Sequence, residues 1–230
     1  MQITPIAHIR SDFPTKFGVP HQSGVADQLQ ALVVMEPQFR TPEAFRGLEA
    51  FSHLWLLWEF SETKRDTWSP TVRPPRLGGN TRMGVFATRS PFRPNPLGLS
   101  SVRLLEVRQD PELGTVLVIA GADLMDGTPI YDIKPYIAPD CHPEAVCGFT
   151  DQVEKRRLPV DFPEEFLRKV EPGKREALIQ VLEGDPRPAY QKDPERIYGM
   201  PFAGMDVHFR VQEEVLHVCG IDRYKGPGIK

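Results

Sequence analysis

At 230 residues the chain has room for one large domain, or for one domain and a smaller companion, and its 40% hydrophobic and 26% charged residues are ordinary globular composition. The net charge of −3, from 28 Lys and Arg against 31 Asp and Glu, excludes a chain that is basic throughout, so any affinity for anions must be built locally. Twenty-four prolines argue for many fixed turns and exclude a bundle of long helices, because proline breaks helix interiors.

In chain order, the N-terminal "MQITPIAHIR" lacks a basic lead followed by an apolar signal core. The first 140 residues read mostly as strands: "ITPIAHI", "LQALVVM", "HLWLLWEF", "MGVFAT", "LSSVRLLEV", "GTVLVIAGA" and "IYDIKPYI". These runs are rich in β-branched, aromatic and aliphatic residues and are punctuated by Gly and Pro, as in an all-β barrel or sandwich. One helix is expected within them. Thr41 offers an N-cap, Pro42 the first helical position and Glu43 a first-turn acid, ahead of "PEAFRGLEAF". No apolar run, "LWLLW" included, approaches the roughly 20 residues that span a bilayer.

From Thr67 to Leu105 there is no Asp, Glu or Lys, yet Arg73, Arg76, Arg82, Arg89, Arg93 and Arg103 are present. A solvated face normally mixes signs and mixes Lys with Arg. Arginine without lysine suits bidentate capture of phosphate or carboxylate and stacking on bases. In "VRPPRLGGN" and "FRPNP" the arginines lie beside proline or near glycine, which stiffens the loop or lets a ligand approach the backbone. Trp68 and Phe92 are near enough in sequence to stack on a ligand, whereas Trp55 and Trp58 read as core. Anion or nucleic-acid binding is the functional reading of this stretch.

Further on, "ADLMDGTPIYDIKPY" reads as a hairpin turned at Asp126–Gly127, with Asp123 and Asp126 leaving carboxylates at a strand end. Composition shifts after Tyr136, and "IAPDCHPEAVCGF" is linker material. Cys141, Cys147 and Cys219 are an odd number without metal-ligand spacing, so they read as reduced thiols of a cytoplasmic protein with no metal. "PEEFLRKV" and "KREALIQVLEG" carry helical periodicity with Gly173 and Gly184 as stops, and "MDVHFRVQ" and "VLHVCGID" alternate as a hairpin would. Between them "DPRPAYQ" sets Arg187 between prolines ahead of Tyr190. The expected fold is mainly β: an antiparallel β-barrel catalytic domain over 1–140 and a small α+β C-terminal domain over 148–225.

No G-x-G-x-x-G, G-x-x-x-x-G-K-[ST], G-x-S-x-G or H-E-x-x-H pattern is present, which removes the Rossmann, P-loop and common hydrolase readings. Four long segments carry a resemblance instead. "RGLEAFSHLWLL", "TVRPPRLGGNTRMGVFATRSPFRPNPLGLS", "DLMDGTPIYDIKPY" and "DPRPAYQ" closely resemble the TsaA-like tRNA methyltransferases of the TrmO family, over nearly the whole chain.

The resemblance implies a cytoplasmic homodimer that takes its methyl group from S-adenosylmethionine. The acceptor it implies is N6 of threonylcarbamoyladenosine at position 37, just 3′ of the anticodon in threonine-type tRNAs. Carried over by motif, donor contacts fall at His21, Gln22, Ser23, Ser61, Glu62, Arg89, Leu99, Asp123, Leu124, Met125 and Asp126. His21 stands where arginine is usual, and Ser61–Glu62 replaces a His/Asp–Gln pair. Catalytic positions are expected at Arg93, aimed at the threonyl carboxylate or a loop phosphate, at Asn95, near the acceptor nitrogen, and at Tyr190, stacked on an extruded base. Arg73, Arg76, Arg82 and Arg187 are expected to meet the RNA backbone. A non-catalytic RNA-binding module using the same arginines, or a small-molecule anion binder or hydrolase, is the rival reading; donor binding separates the first from the enzyme.

Overall fold

The computed structural model describes residues 2–63, 67–74, 81–152, 157–188 and 193–226. Arg76 and Tyr190, two of the expected site residues, lie outside them.

Six strands form the first sheet: β1 (Ala7–Arg10), β2 (Gln30–Met35), β3 (His53–Glu59), β6 (Leu97–Asp110), β7 (Gly114–Ala120) and β8 (Pro129–Pro135). They pair antiparallel in the order β1-β2-β7-β6-β3-β8, and β8 pairs back to β1, so the ring of backbone hydrogen bonds closes as a barrel. Closure leaves no edge for another chain to extend. Alternation fixes which side faces in. In β3, Leu54, Leu56 and Trp58 are buried while His53, Trp55 and Leu57 are not. Leu54 and Leu56 meet Ile9, Val33, Leu117, Ile119 and Ile130 from the other strands to fill the interior.

Two expectations change here. "PEAFRGLEAF" is not one helix but two 3-10 turns, Pro42–Phe45 and Leu48–Ala50, and Thr41 makes no side-chain cap. Gly47 between them adopts φ +86, a left-handed conformation that ends helical propagation. "MGVFAT" keeps only a two-residue strand, β5 (Met83–Gly84), paired to β4 (Thr71–Val72), and then turns at Val85–Ala87. The Asp126–Gly127 turn exists, with Gly127 at φ +76, but joins strands that do not pair with each other. It is a corner rather than a hairpin.

The second sheet orders β10 (Tyr198–Phe202), β11 (Met205–Gln212), β12 (Val215–Arg223) and β9 (Val160–Asp161). β11 and β12 form the expected hairpin. Two-residue β9, parallel to β12, carried no periodicity to reveal it. Helices α1 (Glu164–Leu167) and α2 (Arg175–Glu183) accompany this sheet, and α2 buries Ala177, Leu178, Val181 and Leu182.

The core of this second sheet also takes in residues from the far end of the chain. Phe13, Ala26 and Leu29 belong to the same cluster as Leu178, Met200, Phe202 and Phe209. Phe13 meets Phe202 edge-on with ring centroids 5.4 Å apart, and Ala203 N–H donates to the Asp12 carbonyl at 2.8 Å. An ion pair joins Lys174 to Asp12. Gly18, at φ +92, sits where an added Cβ would be 2.4 Å from Met200 Sδ, so the loop passes tightly over the sheet. Residues 11–29 are thereby held by the second core while they lead from β1 to β2. Phe202→Ala should cost about 3–5 kcal/mol, read as a lower denaturant midpoint, because Phe202 is fully buried and its ring is shared by both partners.

Candidate functional site

Where the 11–29 loop crosses one end of the closed sheet, a cavity of about 500 Å3 opens. Its walls come from that loop, the end of β3 with the following turn Ser61–Thr63, the arginine loop before β6, and the segment between β7 and β8. The size and mixed lining are those of a pocket for one small organic ligand.

At its base three segments converge on one carboxylate. Ser100, buried on β6, donates from Oγ to Asp123 Oδ1 at 2.5 Å and accepts from Trp58 Nε1 at 2.9 Å. The Ser23 backbone N–H also donates to Asp123. Burial pushes the Asp123 carboxyl above its ordinary range, against the opposing pull of the Ser100 and Ser23 hydrogen bonds and the charge of Arg89. The chain Trp58–Ser100–Asp123 is thus a directed run of donors ending on a buried carboxyl oxygen.

Gly98 allows this run to form. It faces Trp58 in the β3–β6 register, and a Cβ there would lie 2.3 Å from Trp58 Cε2. Phe60 packs edge-on against the indole, with ring centroids 4.3 Å apart. Nearby, Tyr131 donates to Glu59 Oε2 at 2.7 Å, and this hydrogen bond pushes the phenol up to about 12.

Most expected donor contacts meet in the cavity. His21 and Gln22 line one side, Ser61 and Glu62 another, and Arg89, Leu99, Asp123, Leu124 and Met125 complete it. Leu99 is 51% exposed, an apolar side chain at the mouth. Ser23 contributes through its backbone rather than as part of the wall. Asp126 is not brought in: its Oδ1 accepts from the Ser11 backbone N–H at 3.0 Å, and its own N–H donates to the Phe13 carbonyl. It secures the loop from behind.

Arg93 lines the cavity, yet its guanidinium is engaged by its own loop. Nε donates to the Ser90 carbonyl at 2.9 Å, and Nη2 to those of Thr88 at 2.5 Å and Val85 at 3.2 Å. The arginine is a clamp on the segment that carries Arg89. Asn95 is exposed and outside the cavity, and its carbonyl accepts from Leu97 N–H at 2.7 Å. Arg73 and Arg82 are exposed, Arg82 reaching Thr71 Oγ1 at 3.4 Å. Arg187 is spent differently from its expected RNA contact: Nε and Nη2 grip Asp185 at 2.7 and 2.8 Å, and Asp185 raises the arginine's pKa further. Such a bidentate pair leaves the planar fork occupied.

Sequence reading missed Trp58 as a site residue, and missed Ser100 and Gly98 altogether. The available signal was a glycine and a serine at the inward positions of β6, where an apolar side chain is the rule. Among the described residues, no group of three or more His, Cys, Asp or Glu side chains could hold a metal ion, and no helix is long and apolar enough to cross a membrane.

A closed antiparallel sheet with a ligand-sized cavity at one end, a buried carboxylate at its base and an arginine-clamped rim defines a small-ligand-binding protein outside the Rossmann and P-loop classes. Known proteins narrow this. A family model for the tRNA-methyltransferase O N-terminal domain matches residues 8–140, and one for the TrmO C-terminal domain matches 155–224. The tRNA (adenine(37)-N6)-methyltransferase of Escherichia coli K12 is 40% identical over 230 residues, covering 96% of this chain and 97% of that protein. A Pseudomonas aeruginosa protein, provisionally named S-adenosylmethionine-dependent methyltransferase RcsF, is 41% identical over 233 residues, covering 96% and 98%. A crystal structure of TrmO from Pseudomonas aeruginosa matches the fold with a TM-score of 0.77 at 31% identity, over 96% of this chain and 98% of that one. The chain belongs to the TrmO family of tRNA methyltransferases.

Proposed function

We propose that this chain transfers a methyl group from S-adenosylmethionine to N6 of threonylcarbamoyladenosine at position 37 of threonine-type tRNAs, as a cytoplasmic homodimer. The observation that carries the reading is the cavity in which His21, Gln22, Ser61, Glu62, Arg89, Leu99, Asp123, Leu124 and Met125 meet. These residues fit the donor by chemistry: apolar walls for a hydrophobic ligand body, and carboxylates at Asp123 and Glu62 for a ligand bearing ammonium and sulfonium charge. S-adenosylmethionine, when bound, supplies a methyl group activated by positive sulfur. The residues around it orient the donor and shield it from water.

On this reading the closed sheet over 1–140 binds the donor, and the unit over 148–225 orients the tRNA. The acceptor nitrogen is a poor nucleophile, since its lone pair is delocalised into both the ring and the carbamoyl group. Its proton must leave as the new N–C bond forms, so most of the help comes from positioning. Arg89 lines the cavity, and Arg73 and Arg82 are exposed on the same acid-free stretch of chain, which suits the threonyl carboxylate and the anticodon-loop phosphates.

Incubation of the protein with methyl-labelled donor and bulk tRNA, followed by digestion to nucleosides, should place the label on threonylcarbamoyladenosine. Label on unmodified adenosine, or none at all, overturns the substrate assignment. Asp123→Asn, which keeps the shape and removes the charge, should weaken donor binding by about tenfold or more in calorimetry. For the wild type, affinity should fall as pH is lowered through the carboxyl's raised titration range, because the proton favoured by burial must be released to pair with a cationic donor. The Asn variant should lose that dependence.

A further inference from the structure

Two aromatic rings of the arginine segment belong to neither hydrophobic cluster. Trp68 is 50% exposed and Phe86 is 76% exposed. They stack on each other, with centroids 6.2 Å apart and planes inclined by 25°. The pair is built rather than accidental. Pairing of β4 with β5 brings the two chain segments together, and Val85 N–H donates to the Pro70 carbonyl at 3.0 Å. Ser69 N–H donates to the Phe92 carbonyl at 3.3 Å, tying Trp68's segment to the loop at the cavity mouth. On the other side, Arg93 grips the Val85 and Thr88 carbonyls, which bracket Phe86. Arg89, three residues beyond Phe86, lines the cavity itself.

Exposed aromatic surface held this firmly implies an occupant. Its surroundings say which kind. Arg73 and Arg82 are exposed on the same short hairpin, and Thr67 to Leu105 contains no acid. An apolar protein segment would gain nothing from those cations. An unpaired nucleobase would use both features, its face on the rings and its phosphates on the arginines. We infer that Trp68 and Phe86 form a stacking platform for an unpaired base of single-stranded RNA, beside the base held for reaction in the cavity. This inference rests on the tRNA-methyltransferase reading.

The test uses the full chain and the anticodon stem–loop of a threonine tRNA carrying threonylcarbamoyladenosine, with binding followed by fluorescence anisotropy. Phe86→Ala and Trp68→Ala should each raise the RNA Kd by about tenfold. Phe86→Tyr should hold the affinity, and Phe86→Leu, apolar without a π face, should not. The slope of log Kd against log salt should stay unchanged in these neutral substitutions, whereas Arg82→Ala should reduce it by about one. Donor affinity should be unaltered by Phe86→Ala. A Phe86→Ala Kd within twofold of wild type overturns the inference. So does a wild-type dimer that Phe86→Ala dissociates, by sedimentation velocity, with RNA affinity intact, since the rings would then serve self-association. A wild type that methylates the RNA but ignores Phe86→Ala defeats the platform alone. RNA binding that depends on Phe86 without methyl transfer supports the platform and defeats the enzyme reading alone.

Discussion

Arg93→Ala should lower kcat/KM for tRNA about a hundredfold while leaving the unfolding midpoint within a few degrees of wild type. The side chain holds the carbonyls of Val85, Thr88 and Ser90, and removing it leaves three acceptors of one loop without their cation. None of the three residues is a member of either hydrophobic cluster, although Val85 itself is buried, so global stability changes little. Arg89 and Pro91, which line the cavity on that loop, would lose their fixed positions, and a shift of about 1 Å in positioning groups can cost a hundredfold in rate. Arg93→Lys should not restore activity, because one ammonium cannot span carbonyls approached from Nε and Nη2 together. Rapid donor-saturated kinetics with tRNA, run beside thermal melts, separate the outcomes. A variant with near wild-type kcat/KM would show that the loop keeps its shape without the clamp.

Gly98→Ala should be the most damaging single-methyl change at the site. The added Cβ would meet the Trp58 ring at 2.3 Å, and the indole, itself buried and packed against Phe60, has to shift. Such overpacking typically costs about 1–3 kcal/mol. The larger consequence is chemical. A displaced indole no longer donates to Ser100 Oγ, and the orientation of the Ser100 hydroxyl towards Asp123 is lost with it. Donor affinity should fall by about tenfold or more in calorimetry. Adding Trp58→Phe relieves the clash but supplies no N–H. The double variant should therefore regain stability without regaining donor affinity. Recovery of both would show that the hydrogen-bond run is dispensable.

These two residues also show what a linear reading can and cannot reach. The acid-free arginine segment was visible because charge composition is a one-dimensional property. The residues proposed to hold the donor came from motif resemblance, since Gln22, Glu62, Arg89 and Asp123 line one cavity from four separate segments and no spacing rule links them. Arg93 was read as aimed at substrate; it turns back on carbonyls three to eight residues away, and only the loop's path decides that. Trp58, Ser100 and Asp123 are linked across 42 and 23 residues of sequence, by tertiary fold rather than by local pattern. The expected helix near Thr41 breaks at Arg46, where ψ is 120, and at Gly47, in the left-handed region, and apolar periodicity is blind to both. β-Strands with clean alternation, such as β3 and β11, were legible because burial of one face writes itself into every second residue.

The loop that carries His21, Gln22 and Ser23 has its hydrophobic anchors in a core otherwise made by the last third of the chain. On the ribosome, Phe13 and Leu29 emerge long before Met200, Phe202 and Phe209 exist to receive them. At about 5–20 residues per second, that wait lasts on the order of ten seconds or more. The first sheet can close meanwhile, since its strands all lie between Ala7 and Pro135. Gly24 N–H donates to the Gly121 carbonyl at 2.8 Å and ties the loop to the first unit near Ser23, but its apolar anchors wait for the final strands to be synthesised. A prematurely terminated chain should therefore own a folded sheet whose 11–29 loop lacks the partners of Phe13, Ala26 and Leu29.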